Sequence, residues 1–160
     1  MKDKIKRTEE LQLDDSVKMN RKGEAILGRL TGPCADIVNP TRNERFYSEQ
    51  LWEKVFKNPI VNEYFQAGGI LGELNHPADR VETDLEKVAI CMPEPPTKDD
   101  QGHLVGSWDI LDTPNGRIAY TLAKYGYKLG ISSRGNGDVV EDYDGTERVD
   151  EDTYDFQAFD

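Results

Sequence analysis

Short apolar runs set between glycines and prolines constrain this chain more than any other feature. Ala25–Leu30, Ile70–Leu74, Val88–Met92 and Leu104–Leu111 are rich in Val, Ile and Leu and too short for a buried helix, so each reads as a strand. Thr31-Gly32-Pro33 is expected to break the first of them. Ala35–Pro40 then reads as a second extended piece leading into a polar turn, Thr41–Arg45, and Tyr127–Ser132 as a further strand. Pro93–Gly102 reads as a surface loop. Helical periodicity is confined to two places. Leu51, Trp52, Val55 and Phe56 follow an N-capping Ser48, with Pro59 interrupting and Val61, Tyr64 and Phe65 adding a turn before Gly68-Gly69. Ile118, Ala119, Leu122 and Tyr125 follow Pro114 and stop at Gly126. Strands outnumber helices and do not alternate regularly with them. That disfavours a doubly wound parallel sheet and predicts an α+β fold, a barrel-like antiparallel or mixed sheet carrying a few helices.

Charge divides the chain further. Of a formal net charge of -11, the segment Asp138–Asp160 carries -9, with ten acids against Arg148 alone, while the other 137 residues hold 21 acids and 19 bases. A chain with this balance offers no cationic surface for nucleic acid. Met1–Lys22 is charge-rich and poor in large apolar residues, which predicts a mobile arm ahead of a domain over 23–160. The charged start Met1–Glu10 does not read as a signal peptide, and no apolar run approaches the roughly 20 residues that span a bilayer. Cys34 and Cys91 form no metal or redox spacing and read as reduced thiols, so an intracellular protein is expected.

The acidic end still carries structural pattern. Val139-Val140, an Asp144-Gly145 turn and Val149 fit a hairpin. Tyr154, Phe156 and Ala158 alternate with Asp155, Gln157 and Phe159, as in a strand with one buried face. The chain stops at Asp160 within that pattern, which suggests a form shortened at its C-terminus. Asp142, Asp144, Gly145 and Glu151 match positions 3, 5, 6 and 12 of a calcium loop, but Val140 stands where the first acid is required, so a solvated hairpin is the preferred reading and no metal is assigned.

Two segments combine residue types that can carry chemistry. Gly72-Glu73-Leu74-Asn75-His76-Pro77 places one of two histidines at the end of a strand, where an imidazole can serve as a general base near neutral pH or simply cap a turn. Ser132-Ser133-Arg134-Gly135-Asn136-Gly137 sets two serines before a Gly-rich turn. A serine there needs a base to become a nucleophile, and Gly135 and Gly137 let the backbone turn tightly and present N–H groups that could hold an oxyanion. Arg134 stands where a nucleophile elbow has its second glycine, and no phosphate-loop Lys follows, so neither of those motifs applies. The group that orients the base would be one of many acids, since no histidine follows His103, which itself reads as an exposed turn.

Together these segments resemble the prohead core proteases of tailed bacteriophages. The resemblance rests on Ile37–Tyr47, similar to an Asn-x-Arg-x-Tyr turn before a helix, on the Gly72–Pro77 histidine motif, and on the Gly130–Gly137 serine motif about 55 residues later. It implies a herpesvirus-protease-like fold and a serine endopeptidase without cofactor, with Ser132 as nucleophile and His76 as base. It also implies an aspartate after a strand of apolar residues, matched by Asp160 first and Asp155 second. Backbone N–H groups of Ser133, Arg134 and Gly135 would then hold the oxyanion, with Arg134 assigned either to that region or to a nearby carboxylate. Scaffold or core and major capsid proteins are the implied substrates, inside the assembling prohead in the host cytoplasm, with autocleavage and self-association into a homo-oligomer compatible and neither nucleic acid nor membrane required. The alternative is a non-enzymatic acidic scaffold protein that binds capsid protein through Asp138–Asp160.

Overall fold

The computed structural model describes residues 11–41, 44–77 and 80–160. Along the chain run β1 (Gln12–Asp14), β2 (Gly28–Asp36), β3 (Arg45–Phe46), α1 (Glu49–Lys57), α2 (Pro59–Gln66), β4 (Ile70–Glu73), β5 (Val88–Met92), β6 (Thr97–Lys98), β7 (His103–Ile110), α3 (Pro114–Tyr125), β8 (Ser133–Asn136), β9 (Val139–Glu141), β10 (Glu147–Val149) and β11 (Asp155–Phe159). The main sheet has the order β1-β2-β7-β5-β4, with β6 on β7, and is antiparallel throughout. A second sheet, β3-β10-β9, contains one parallel pairing, and β8 pairs antiparallel with β11. The architecture is α+β, with three α-helices among the described residues. Among the described residues no backbone ladder joins the three sheets into a closed barrel.

Packing explains what brings the separate sheets together. Leu30, Ile70, Ile90, Met92, Trp108 and Ile110 cover the inner face of the main sheet and are all buried. Ser48 caps α1, its Oγ accepting from Leu51 N–H at 3.1 Å, and the helix buries Leu51, Trp52 and Val55. Trp52 stacks on Phe159 of β11 at 5.7 Å and meets Phe156 edge-on at 5.8 Å, while Trp108 meets Phe159 at 6.0 Å. Aromatic contacts of this geometry add to the area they bury. Asn58 caps α2, whose Pro59 occupies the first turn. α3 fits closely against β5 and the end of β7, because a Cβ on Gly116 would run into the Leu111 and Ala89 carbonyls.

Several elements differ from the sequence expectations. Thr31-Gly32-Pro33 does not break a strand: β2 runs through it and on to Asp36, absorbing Pro33 at a bulge between Pro33 and Ala35. Because β1 pairs only with Arg29–Thr31, the far edge of β2 has no ladder beside Pro33, and an absent N–H is tolerated there. Tyr127–Ser132 is not a strand. Leu129 and Ile131 pack against the core with no neighbouring strand to ladder with, apart from Leu11 N–H to the Leu129 carbonyl at 2.9 Å. The ladder begins instead in the Gly-rich segment, where a Cβ on Gly135 would come within 2.6 Å of the Asp155 carbonyl and 2.8 Å of the Tyr154 ring. Pro93–Gly102 includes the short strand β6. Of the expected arm over Met1–Lys22, residues 1–10 lie outside the described ones; beyond them Leu11 is buried and Gln12–Asp14 forms β1 on the main sheet. In the turn before α1, Arg42 and Asn43 also lie outside the described residues, while Tyr47 packs between Trp52 and Tyr154.

Candidate active site

Strand pairing places Ser132 opposite Asp160. Ser132 N–H donates to the Asp160 carbonyl at 3.2 Å, and Asp160 N–H donates back to the Ser132 carbonyl at 3.0 Å. These two residues extend the β8–β11 ladder by one step. His76 arrives from the loop after β4. Its Nδ1 lies 3.5 Å from Ser132 Oγ and 3.3 Å from Asp160 Oδ2. The imidazole is 44 % exposed, whereas the Asp160 carboxylate has no exposed surface. One ring nitrogen cannot donate to a carboxylate and accept from a hydroxyl at once. For the imidazole to bridge both groups it must turn so that Nδ1–H keeps Asp160 and Nε2 meets Ser132 Oγ. Such tightening on substrate binding is ordinary for catalytic hydrogen bonds.

The buried Asp160 carboxylate is fully engaged. Glu73 N–H donates to Oδ1 at 2.8 Å, Arg134 Nε to Oδ2 at 2.8 Å, and Arg134 Nη2 to Oδ1 at 3.2 Å. A guanidinium and a backbone N–H thus supply donors to both carboxylate oxygens. Of the two roles expected for Arg134, the carboxylate contact is the one its guanidinium makes; it also donates to the Val81 carbonyl and to Thr83 Oγ1. Asp155 sits at the other end of β11, opposite Asn136. Glu73 was not singled out from sequence, yet it is only 2 % exposed and binds Arg80 through both carboxylate oxygens at 2.6 Å. That pairing, above all, holds its carboxyl below the ordinary glutamate value of 4.5. The signal for it was an acid at the end of an apolar strand, which is informative only when its partner is known.

Because Ser132 and Asp160 exchange both hydrogen bonds, the next pair, Ser133 and Phe159, points its N–H and C=O groups away from the ladder. The Phe159 carbonyl accordingly lies against Gly72 of β4, and Ser133 N–H faces away from β11. On its side-chain face, Ser133 Oγ accepts from Tyr154 OH at 3.4 Å. Burial, partly offset by that bond, pushes the Tyr154 phenol up. Gly135 and Gly137 make room for Tyr154 rather than forming a tight turn.

Other polar groups lie elsewhere. His103 opens β7 between Asp36 and Asp99, at 3.9 and 3.7 Å. Asp142 and Glu151 pair with Arg148, and among the described residues no group of three or more His, Cys, Asp or Glu is disposed to hold a metal. Burial pushes Cys34 up to about 12 and Cys91 up to about 11, so neither thiol is a ready nucleophile. A cleft of about 1160 Å³ opens on the outer face of the main sheet over Leu71, Cys91 and Asp109; it touches the site's support at Thr83 and Gln157 but is not lined by Ser132 or His76.

No curated protein sequence matches this chain. A solved structure of the bacteriophage T4 capsid assembly protease is similar to it, with a TM-score of 0.77 and 24 % identity over 92 % of this chain and 87 % of that one. That likeness carries the α+β fold. The profile of the prohead core protein serine proteases matches residues 16–159, nearly the whole chain, and the protein therefore belongs to that family, serine proteases of prohead maturation.

Proposed function

We propose that Ser132 is the nucleophile of this protease, His76 its general base and Asp160 the group that orients His76, and that its substrates are the scaffold or core and major capsid proteins of the assembling prohead in the host cytoplasm. The observation that carries this reading is the meeting of Ser132 Oγ, His76 Nδ1 and Asp160 Oδ2 within 3.5 Å, drawn from three separate segments. His76 takes the Ser132 proton as Oγ attacks the scissile carbonyl, and the imidazolium then protonates the leaving amine. Asp160 holds the ring in place and stabilises that imidazolium. Of the expected oxyanion region Ser133, Arg134 and Gly135, Ser133 N–H is the donor; loss of one such donor costs about 10²–10³ in rate. No step requires a metal or cofactor. A non-enzymatic acidic scaffold would leave this juxtaposition without a use. The finer fold reading, a herpesvirus-protease-like barrel surrounded by helices, is supported by β11 lying against β4.

The test is an intact-mass time course on concentrated protein with prohead core protein added. Wild type is expected to yield discrete fragments, from the core protein and from itself, while Ser132→Ala and His76→Ala stay folded and yield none. Turnover by Ser132→Ala would overturn the assignment.

A further inference from the structure

We propose that Glu73, Arg134 and Arg80 are positioning residues of the protease, whose alternating charges hold the His76 loop and the Asp160 carboxylate in register with Ser132. This rests on the assignment of Ser132, His76 and Asp160 proposed above.

The chain of charge runs Asp160, Arg134, Glu73, Arg80. Arg134 grips Asp160 through Nε at 2.8 Å and Nη2 at 3.2 Å, and its guanidinium lies 3.8 Å from Glu73 Oε2. Glu73 in turn accepts from Arg80 Nη1 and Nη2, both at 2.6 Å, and from Asp84 N–H at 2.9 Å. The backbone therefore leaves Glu73 at the end of β4 and returns to the same carboxylate at Asp84, and His76 sits on that excursion. Arg134 fastens the returning side a second time, at the Val81 carbonyl and at Thr83 Oγ1. The same Glu73 also gives its N–H to Asp160 Oδ1 at 2.8 Å. One residue thus anchors both the loop that carries the base and the acid that orients it. His76 is itself nearly half exposed, so its position depends on how firmly its loop is fixed.

Stability alone gives little reason for such an arrangement. Glu73 and Arg134 are only 2 % and 4 % exposed, and buried ion pairs seldom stabilise more than apolar residues of the same volume. What they supply is geometry: Arg134 must meet two carboxylates, a carbonyl and a hydroxyl at fixed angles, which a planar fork can do and an ammonium cannot. Displacement of a reacting group by about 1 Å can cost about a hundredfold in rate.

The readout is covalent labelling by a fluorophosphonate probe, which needs no natural substrate, with the site found by peptide mass spectrometry. Wild type is expected to label at Ser132 and Ser132→Ala not at all. Arg80→Gln is expected to lower the maximal labelling rate about ten- to a hundredfold while the probe concentration for half-maximal rate stays put. Arg80→Lys should recover part of that rate, since one ammonium replaces half of a two-pronged contact, and Arg134→Lys should lose more than Arg80→Gln. Thermal melts recorded alongside give the folded fraction. Arg80 stands at the outer end of the chain, its side chain 26 % exposed, so its variants decide the matter even where Arg134→Lys fails to fold. Labelling of Arg80→Gln at the wild-type rate, or reduced only in proportion to unfolded protein, overturns the proposal while leaving Ser132 as nucleophile. A wild type that does not label at Ser132 overturns both.

Discussion

Gly72 shows how narrowly single positions are set around the site. A Cβ there would overlap the Phe159 carbonyl oxygen and crowd Ile90, so Gly72→Ala must part β4 from β11 just where Asp160 begins. That substitution is expected to destabilise the protein by about 1–3 kcal/mol, read by denaturant unfolding, and to slow labelling of Ser132 as well. Its neighbour Glu73 makes a second expectation, in pH. The folded-state carboxyl is held below 4.5, chiefly by Arg80, so its contribution to stability is fully present above 4.5 and is lost as pH falls through the folded value. The stability gap between wild type and Glu73→Gln should therefore be widest near pH 7 and close on acidification below 4.5; a gap that stays constant with pH would show that the charge is not the cause. At this scale the sequence was readable where chemistry announces itself by type. Ser132 and His76 stand out because a serine before glycines and a rare histidine have few uses in common. Glu73 and Arg80 do not, because a salt bridge between residues seven apart across a loop leaves no mark in either residue alone. The roles of Gly135 and Gly137 were hidden for a similar reason, since they answer to Tyr154, a distant side chain.

The elements that carry the site are held by a helix that does not touch it. α1 presses Trp52 onto Phe156 and Phe159, and these residues fix β11, whose end delivers Asp160 to Ser132. Trp52→Ala should cost about 3–5 kcal/mol and, in whatever protein remains folded, slow the labelling of Ser132. Tyr64→Ala serves as the control: this side chain is 45 % exposed on α2, and its loss should alter neither quantity. An equal response of the two variants would mean that the aromatic cluster does not govern β11. Both longer helices were legible because a start signal and an apolar face agree in one short window, a capping Ser48 for α1 and Pro114 for α3. The strands were legible in existence but not in extent. Pro33 is a breaker in isolation and acceptable in β2, because β1 is too short to need its N–H. Ile131 sits in an apolar run that reads as a strand, yet the ladder begins only at Ser132, where Asp160 stands as a partner. Pairing is a property of two segments, and one segment cannot show it.

Over the whole molecule, charge is separated from fold and from chemistry. The segment Asp138–Asp160 holds ten of the acids, yet Asp160 is buried on Arg134 while the acids of the β9–β10 hairpin face water. Bases from elsewhere answer a few of these acids: Arg45 lies 3.9 Å from Glu147, Lys54 pairs with Asp152, and Arg148 within the segment serves Asp142 and Glu151. Added salt therefore acts in two directions. It weakens these exposed pairs, each worth little, and it screens repulsion among acids that outnumber their partners. With -9 of the net charge in 23 residues, repulsion is the larger effect. Raising ionic strength from about 10 mM, where the Debye length is about 30 Å, to about 150 mM, where it is about 8 Å, is expected to raise the melting temperature by about 2–4 °C. Asp138→Asn with Asp144→Asn should flatten that response and leave Ser132 labelling untouched. Asp160→Asn should do the reverse, keeping the salt response while labelling falls about 10⁴-fold, because a buried partner of a guanidinium lies beyond the reach of bulk ions. A melting temperature that falls with salt would show that the exposed pairs, not the repulsion, dominate the surface of this protease.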